Sequence, residues 1–229
     1  MQEEKEKEEI QAPTAPERDL VEFGTVTTTR DETVQTILIA GQIEGHTALG
    51  GGTKATRYEH VLPLLVKAEE SADIRGVLFL LHTVGGDVEA GLAMAEMIAG
   101  MTKPTVALVL GGGHSIGIPL AVAAKQTLIA PSATMTVHPV RINGLVLGAP
   151  QSFEYLSRMQ DRIVDFIVNH SRASHERLEE WMMGRIDMAT DLGTIVEARE
   201  AVDGGLCDGV GTFSDAIRLL KEQIRAGKA

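Results

Sequence analysis

Short apolar strands alternate with helices through the middle of the chain, and this alternation limits the fold more than any other feature. Periodicity and β-branched content predict strands at Val34–Ile43, Gly76–Leu81 and Thr105–Leu110. The intervening and following segments have helical patterns, at Tyr58–Ala68, Val88–Ala99 and Ile116–Ala124. Successive β–α steps imply a mostly parallel sheet with helices packed on it. The chain is therefore expected to have an α/β fold.

Outside this region the pattern predicts further short strands and a helical C-terminal third. Glu22–Arg30 is either an edge strand or an extended loop, and short strands are predicted at Thr127–Ala130 and Met135–Val137. Helices are predicted at Pro150–His170, Ser174–Met183, Ile195–Val202 and Asp215–Ile224. Residues 1–19 are highly charged and lack apolar periodicity, so they are predicted to be a disordered arm. Residues 20–229 are expected to form a single domain.

Charge and cysteine content exclude several functions. The formal net charge of −11 disfavours a nucleic-acid partner, because phosphate binding needs a basic face. Cys207 is the single cysteine, so an internal disulfide and a cysteine-based zinc site are excluded. The uncharged stretch Thr105–Ala124 is rich in glycine, which suits a strand, a turn and a helix better than a membrane span. Because the N-terminus is acidic and unlike a signal peptide, a cytoplasmic location is expected.

A serine in a glycine turn is the most informative local feature. Residues 113–117 read Gly-His-Ser-Ile-Gly and lie between a predicted buried strand and a predicted buried helix. Such a turn exposes the serine, here Ser115, at a helix N-terminus, where N–H groups stabilise an oxyanion. The structural alternative is that Ser115 only caps the helix after a glycine turn. The turn by itself leaves both interpretations open.

A nucleophilic serine needs a general base, and His138 is the best placed of the seven histidines. It follows the predicted strand Met135–Val137, so a rigid element would hold it. Asp187 and Asp191 are candidates for the acid that orients the imidazole, and the sequence pattern does not choose between them. A second glycine pair, Gly85-Gly86, closes another buried strand and offers N–H groups to an oxyanion.

The order of these residues disfavours an α/β-hydrolase. That fold has the chain order serine, acid, histidine. The late histidines are His170 and His175, and they would need an acid such as Asp161 or Asp165, both in the middle of a predicted helix. The order serine, histidine, aspartate suits a different scaffold.

Motifs across about residues 34–210 resemble the ClpP family of serine peptidases, and most of all its ClpP-like translocation-enhancing branch. The matching segments are Gly41-Gln42-Ile43-Glu44, Gly85-Gly86, Ser115-Ile116-Gly117, Val137-His138-Pro139, the long helix from Pro150, and residues 200–208. The last segment, Glu-Ala-Val-Asp-Gly-Gly-Leu-Cys-Asp, is similar to the family signature Glu-Ala-x-x-x-Gly-Leu-x-Asp. Each motif alone is weak, whereas the set in this order is highly specific.

The resemblance implies a ClpP/crotonase-type fold of stacked β-β-α units with a protruding handle at about residues 138–172. It implies Ser115 as the nucleophile, His138 as the general base and Asp187 as the orienting acid. The oxyanion donors would be the N–H groups of Gly86 and Ile116. It also implies a homo-oligomeric ring that acts on peptides or unfolded protein without a metal or cofactor. The chain has no Walker A motif, so an ATP-driven unfoldase would be a separate partner.

Several residues depart from the family pattern. Thr83 and Val84 stand where the family has Ser-Pro, and Asp87 follows Gly86 where an apolar residue is usual. A carboxylate at Asp87 is expected to bring negative charge near the oxyanion site. A glycine-rich insertion lies between His46 and Tyr58. The N-terminus does not resemble the family's axial loops, which leaves docking to an unfoldase open.

Three hypotheses follow. The first is a serine endopeptidase that works through an acyl-enzyme. The second is a catalytically silent ClpP-like ring subunit that binds peptides or regulates a partner, supported by Asp87 and the altered strand before it. The third is a Ser–Lys dyad enzyme using Lys125, which is disfavoured because an apolar helix separates that lysine from Ser115.

Overall fold

The computed structural model describes residues 24–141, 150–184 and 193–227. Its strands are β1 (Thr25–Thr28), β2 (Val34–Glu44), β3 (Ala55–Arg57), β4 (Gly76–Gly86), β5 (Thr105–Gly113), β6 (Gln126–Ile129), β7 (Thr134–Val137), β8 (Thr194–Glu197) and β9 (Gly209–Val210). Its helices are α1 (Tyr58–Glu70), α2 (Val88–Ala99), α3 (Gly117–Val122), α4 (Pro150–His170), α5 (His175–Met183), α6 (Ala198–Asp203) and α7 (Phe213–Ala226). The predicted arm, residues 1–19, and both candidate acids, Asp187 and Asp191, lie outside the described residues.

The strands form a mostly parallel sheet, which confirms the predicted α/β fold. The main order is β1-β2-β4-β5-β6-β9, in which only β1 runs antiparallel to its neighbour. The short strand β3 adds to the far end of β2. β7 pairs with the end of β5 through Gly112 and Thr134, and β8 runs antiparallel to β7. The carboxyl ends of β4 and β5 thus meet the β7–β8 pair at one edge.

Two apolar layers cover the sheet. The larger layer packs α1, α2, α3 and part of α4 against one face, with Phe79, Val109 and Met94 among its fully buried residues. The smaller layer packs Leu220 and Ile224 of α7 against Leu78 and neighbouring strand residues. Burial on both faces explains why the central strands are near-continuous apolar runs and carry no alternation.

One helix prediction was wrong at its beginning. Ile195–Val202 was expected to be helical, but Thr194–Glu197 is strand β8 and the helix begins only at Ala198. The reason is tertiary, because β8 pairs residue by residue with β7 from Val137 to Thr134. β-branched residues fit that pairing better than a helix.

The uncharged stretch Thr105–Ala124 forms strand β5, a turn and helix α3, as expected. Within the three described ranges, none of the helices combines the length and the apolarity needed to cross a membrane. Strands β4 and β5 are longer than predicted, because they continue to Gly86 and Gly113. The other predicted strands of the sheet end within two residues of the observed ends.

Candidate active site

Ser115 lies on a strained turn between β5 and α3. Its φ is +55°, in the left-handed region that non-glycine residues seldom adopt. The backbone fixes this conformation from both sides, because the Ser115 N–H donates to the Thr136 carbonyl at 2.9 Å and the Ser115 carbonyl accepts from Ile118 N–H at 2.9 Å. The side chain is half-buried. The turn therefore has the form expected of a serine nucleophile held at a helix N-terminus.

The amides around Ser115 leave one N–H group available. Ser115 N–H donates to Thr136, and Gly117 N–H donates to the His114 carbonyl at 2.9 Å. Within the parts of the chain that the structure describes, no acceptor is paired with the N–H of Ile116, the residue between them. An amide in this position is suited to an oxyanion, as predicted for Ile116.

The second glycine motif faces the same turn. Gly85 has a φ of +89°, and a Cβ added to it would lie 2.7 Å from the Cβ of Ser115. The amides on both sides of Gly86 are engaged, because Gly85 N–H donates to the Thr83 hydroxyl and Asp87 N–H donates to the Ile43 carbonyl, each at 3.0 Å. This arrangement leaves the Gly86 amide at the edge that borders Ser115.

Thr83 shapes that edge, which the sequence did not predict. Its buried hydroxyl donates to the Gly41 carbonyl at 2.6 Å while it accepts from Gly85 N–H. The threonine therefore ties the glycine pair to strand β2. A hydroxyl at this position replaces the family's serine with the same hydrogen-bonding capacity.

His138 follows β7 and is half-buried. Its Nδ1 lies 2.7 Å from the Pro139 carbonyl oxygen. Because a carbonyl only accepts, Nδ1 carries a proton in this arrangement. In the neutral ring Nε2 then has a free lone pair, which is the tautomer that a general base needs.

The backbone that lies beside His138 is that of Gly193, the residue that follows the segment 185–192 containing both candidate acids. Gly193 has a φ of +136°, and a Cβ there would lie 2.7 Å from the Cβ of His138. Gly193 N–H donates to the Gly184 carbonyl at 2.9 Å, so the two residues that flank 185–192 are joined next to the histidine. Asp187 and Asp191 belong to that segment, and their roles stay predictions.

A cavity of about 240 Å³ brings four of the five predicted site residues together. Gly86, Ser115, Ile116 and His138 all line it. Helices α4 and α5 contribute five apolar side chains to the lining, Ile163, Val164, Ile167, Leu178 and Met182, and the lining also includes Gln160 and Arg141. The lining thus combines a serine and a histidine with an apolar surface that could receive a side chain.

His114 adds an unforeseen hydrogen bond to the site. Its Nδ1 lies 2.8 Å from the Thr136 hydroxyl, on the residue whose carbonyl also holds Ser115. Burial lowers the pKa of His114 below its ordinary value, and the nearby rings of His82 and His138 lower it further. The folded protein therefore disfavours the charged form of His114.

The other histidines considered as general bases, His170 and His175, lie outside the cavity beside Ser115. His170 stacks on Phe166 and donates to its carbonyl, and His175 pairs with Asp165 at 3.5 Å. Neither histidine lines the cavity beside the serine.

The candidate lysine is also remote. Lys125 N–H donates to the hydroxyl of Thr105, the first residue of β5, whereas Ser115 lies two residues beyond Gly113, the last residue of that strand. A strand of nine residues is about 26 Å long, which excludes a Ser115–Lys125 dyad.

Asp87 does not have the position expected of a charge at the oxyanion site. Its carboxylate accepts from Ala90 N–H at 2.9 Å and caps the N-terminus of α2. It is absent from the lining of the cavity beside Ser115. An aspartate directly before an apolar helix is a capping signal, and this signal was available in the sequence.

Comparisons with known proteins show the family to which the chain belongs. The Clp protease family model matches residues 29–213. The chain is 54% identical to the translocation-enhancing protein TepA of Halalkalibacterium halodurans over 191 residues, which are 83% of this chain and 75% of that protein. It is 29% identical to the ATP-dependent Clp protease proteolytic subunit 1 of Chlamydia abortus over 140 residues, which are 58% of this chain and 69% of that one.

A solved structure of a ClpP1 mutant from Listeria monocytogenes is similar in fold. Its TM-score is 0.60 at 21% sequence identity, and the match covers 80% of this chain and 94% of that one. The predicted ClpP-type α/β fold is therefore confirmed, as is the resemblance stated from the motifs.

Proposed function

Because this chain belongs to the Clp protease family, we propose that it is a serine endopeptidase that cleaves peptides or unfolded segments through an acyl-enzyme. The observation that carries the proposal is the strained turn at Ser115, which shares one cavity with His138 and the amides of Gly86 and Ile116. Strain at a serine beside a helix N-terminus has no structural need in a simple cap, because a capping residue normally has extended backbone.

The proposed reaction begins with attack of Ser115 Oγ on a peptide carbonyl. Nε2 of His138 accepts the hydroxyl proton and later transfers it to the leaving amine. The negative oxygen of the tetrahedral intermediate accepts hydrogen bonds from Gly86 N–H and Ile116 N–H. Water, deprotonated by the same histidine, then hydrolyses the acyl-enzyme and restores Ser115.

The cavity favours substrates with an uncharged side chain next to the scissile bond. Its apolar lining consists of Ile163, Val164, Ile167, Leu178 and Met182 from helices α4 and α5. A lysine side chain placed there would lose its hydration beside another cation, because Arg141 also lines the cavity. We expect leucine or methionine to be accepted before the cleaved bond and lysine to be rejected.

The acid of the triad is proposed to be Asp187, with Asp191 as the alternative. Support comes from Gly193, which lies beside His138 and is hydrogen-bonded to Gly184 across the segment that contains both aspartates. Because the Nδ1 proton of His138 faces the Pro139 carbonyl, either carboxylate would act through its charge, by stabilising the imidazolium that forms when His138 accepts the serine proton.

Assembly into a homo-oligomeric ring is part of the proposal. On α4, Met159, Val164, Phe166 and Ile167 are buried against the protein's own core. Phe153 is 77% exposed and Tyr155 is 54% exposed on the N-terminal half of the same helix. Exposed aromatic side chains on one helix suit contact with a second copy. If the rings enclose the sites, only peptides and unfolded segments reach them.

The silent-subunit alternative loses its main support. It rested on a carboxylate near the oxyanion site, and the Asp87 carboxylate instead caps α2. A family relative is named as the proteolytic subunit of an ATP-dependent protease, and a peptidase role for this chain agrees with that name. An unfoldase partner and a cytoplasmic location stay expectations.

Hydrolysis of short fluorogenic peptides tests the proposal. We expect the wild type to cleave peptides with leucine or methionine before the scissile bond, and Ser115→Ala to be inactive. Asp187→Asn should lower kcat strongly and Asp191→Asn weakly, because an amide does not stabilise the imidazolium. The reverse ranking would transfer the orienting role to Asp191, and a Ser115→Ala protein as active as the wild type would refute the proposed function.

A further inference from the structure

One peptide unit links the predicted base to the long helix. The peptide between Pro139 and Val140 has its carbonyl 2.7 Å from His138 Nδ1 and its N–H 2.8 Å from Gln160 Oε1. The two hydrogen bonds are on opposite edges of the same planar unit, so its orientation is set by both. Gln160 lies on α4, which places a helix side chain one peptide away from the imidazole.

Each of the two hydrogen bonds has only one possible donor and one possible acceptor. The Val140 N–H can only donate and the Pro139 carbonyl can only accept, so the Gln160 amide presents its oxygen and His138 presents a protonated Nδ1. If the peptide rotated about its long axis, both hydrogen bonds would break together. The orientation of Gln160 therefore determines whether a carbonyl faces Nδ1.

Gln160 is itself held in place. Its side chain is half-buried and lines the cavity beside Ser115. Its Nε2 lies 2.9 Å from the sulfur of Met182 on α5. The amide is thus fixed between α5 and the segment after β7, and a rotamer change would break its contact with both.

We propose that Gln160 is a positioning residue for His138 that acts through the Pro139–Val140 peptide. It holds the carbonyl that keeps Nδ1 protonated and Nε2 free to accept a proton from Ser115. The inference rests on the proposed role of His138 as general base. It also makes the position of helix α4 a determinant of reactivity, because a shift of about 1 Å would break the 2.8 Å hydrogen bond to Val140.

Two variants at Gln160 test the link by kinetics. Gln160→Met keeps length and packing but removes the acceptor, whereas Gln160→Glu replaces the amide oxygen with a carboxylate oxygen that can still accept from Val140 N–H. The rate of serine phosphonylation by a fluorophosphonate should fall about five- to tenfold in Gln160→Met. It should fall less in Gln160→Glu, which keeps an acceptor for Val140 N–H but places a charge in the cavity. Gln151→Met, the same change at an exposed position of α4, is the matched control and should leave the rate unchanged.

A spectroscopic measurement separates this inference from the proposed function. In a Ser115→Ala background, ¹⁵N-histidine labelling reports the tautomer of His138 by solid-state NMR, with His138→Ala assigning the signal. We expect a protonated Nδ1 in the parent and in Gln160→Glu, and a mixed tautomer in Gln160→Met. An unreactive wild type with this pattern would refute the peptidase and leave the link standing. A tautomer that is the same in all three proteins would overturn the link, as would a Gln160→Met rate equal to the wild type.

Discussion

The backbone N–H of Ser115 donates a 2.9 Å hydrogen bond to the carbonyl of Thr136, two residues before His138. The proposed nucleophile is therefore attached to the strand that ends at the proposed base. Because β7 is also paired with β5 through Gly112 and Thr134, the two residues are positioned by one rigid corner of the sheet. Substitutions that move this corner are expected to change reactivity more than stability.

Replacing Gly85 by alanine should displace the nucleophile. The new Cβ would lie 2.7 Å from Ser115 Cβ, and the φ of +89° is unfavourable for alanine. A displacement of about 1 Å predicts a loss of phosphonylation rate of about 100-fold. Gly50→Ala is the control, because nothing lies within 4 Å of a Cβ at that glycine. A Gly85→Ala protein that reacts at the wild-type rate would contradict the described contact.

Removing the Thr83 hydroxyl should damage the oxyanion edge. Thr83→Val leaves the Gly41 carbonyl and the Gly85 N–H without their partner in a buried position, at a cost of about 1–3 kcal/mol in the free energy of unfolding. Thr83→Ser keeps the hydroxyl and should remain near the wild-type stability. Urea denaturation with a parallel peptide-cleavage assay checks this, and equal stability of the valine and serine variants would argue against it.

Asp87 should matter for stability and not for catalysis. Asp87→Ala removes the cap of α2 and is expected to lower the free energy of unfolding by about 1 kcal/mol. Asp87→Asn retains an acceptor for Ala90 N–H and should lower it less. Neither variant should change the phosphonylation rate measurably. If removal of the charge accelerated the reaction more than tenfold, the carboxylate would be acting on the oxyanion after all.

His114 should make the fold less stable in mild acid. Its pKa is lowered from the ordinary value of 6.5 by burial and by His82 and His138. Below that pH the imidazole of His114 binds a proton more readily in the unfolded chain than in the folded protein. The free energy of unfolding therefore decreases as the pH falls below that value, and this group does not change it at higher pH. His114→Asn should show a smaller loss of unfolding free energy between pH 7 and pH 5. An identical pH dependence in wild type and variant would contradict this assignment.

The sequence predicted the sheet, and four of the site residues it singled out line one cavity, because both depend on local patterns. Apolar runs ending in glycine identified β2, β4 and β5, and the turn at Ser115 was visible as a glycine-flanked serine between a strand and a helix. The placement of His138 followed from its position after a short strand. These features need no knowledge of distant contacts.

The features that were missed depend on contacts between distant segments. β8 is a strand because β7 lies beside it, and its four residues run directly into α6 without a turn signal. Gln160 touches the peptide after His138 from a helix 20 residues further along the chain, and an isolated glutamine on a helix has no distinguishing pattern. The capping role of Asp87 was missed because an aspartate after two glycines fits a site charge as well as a helix cap.

The central claim is that Ser115 is a nucleophile activated by His138, and intact mass after incubation with a fluorophosphonate tests it most directly. The wild type should gain one phosphonyl adduct per chain, mapped by peptide mass spectrometry to Ser115. Ser115→Ala should gain none, and His138→Ala should react at least about 100-fold more slowly. An unmodified wild type, or an adduct on another residue, would contradict the account.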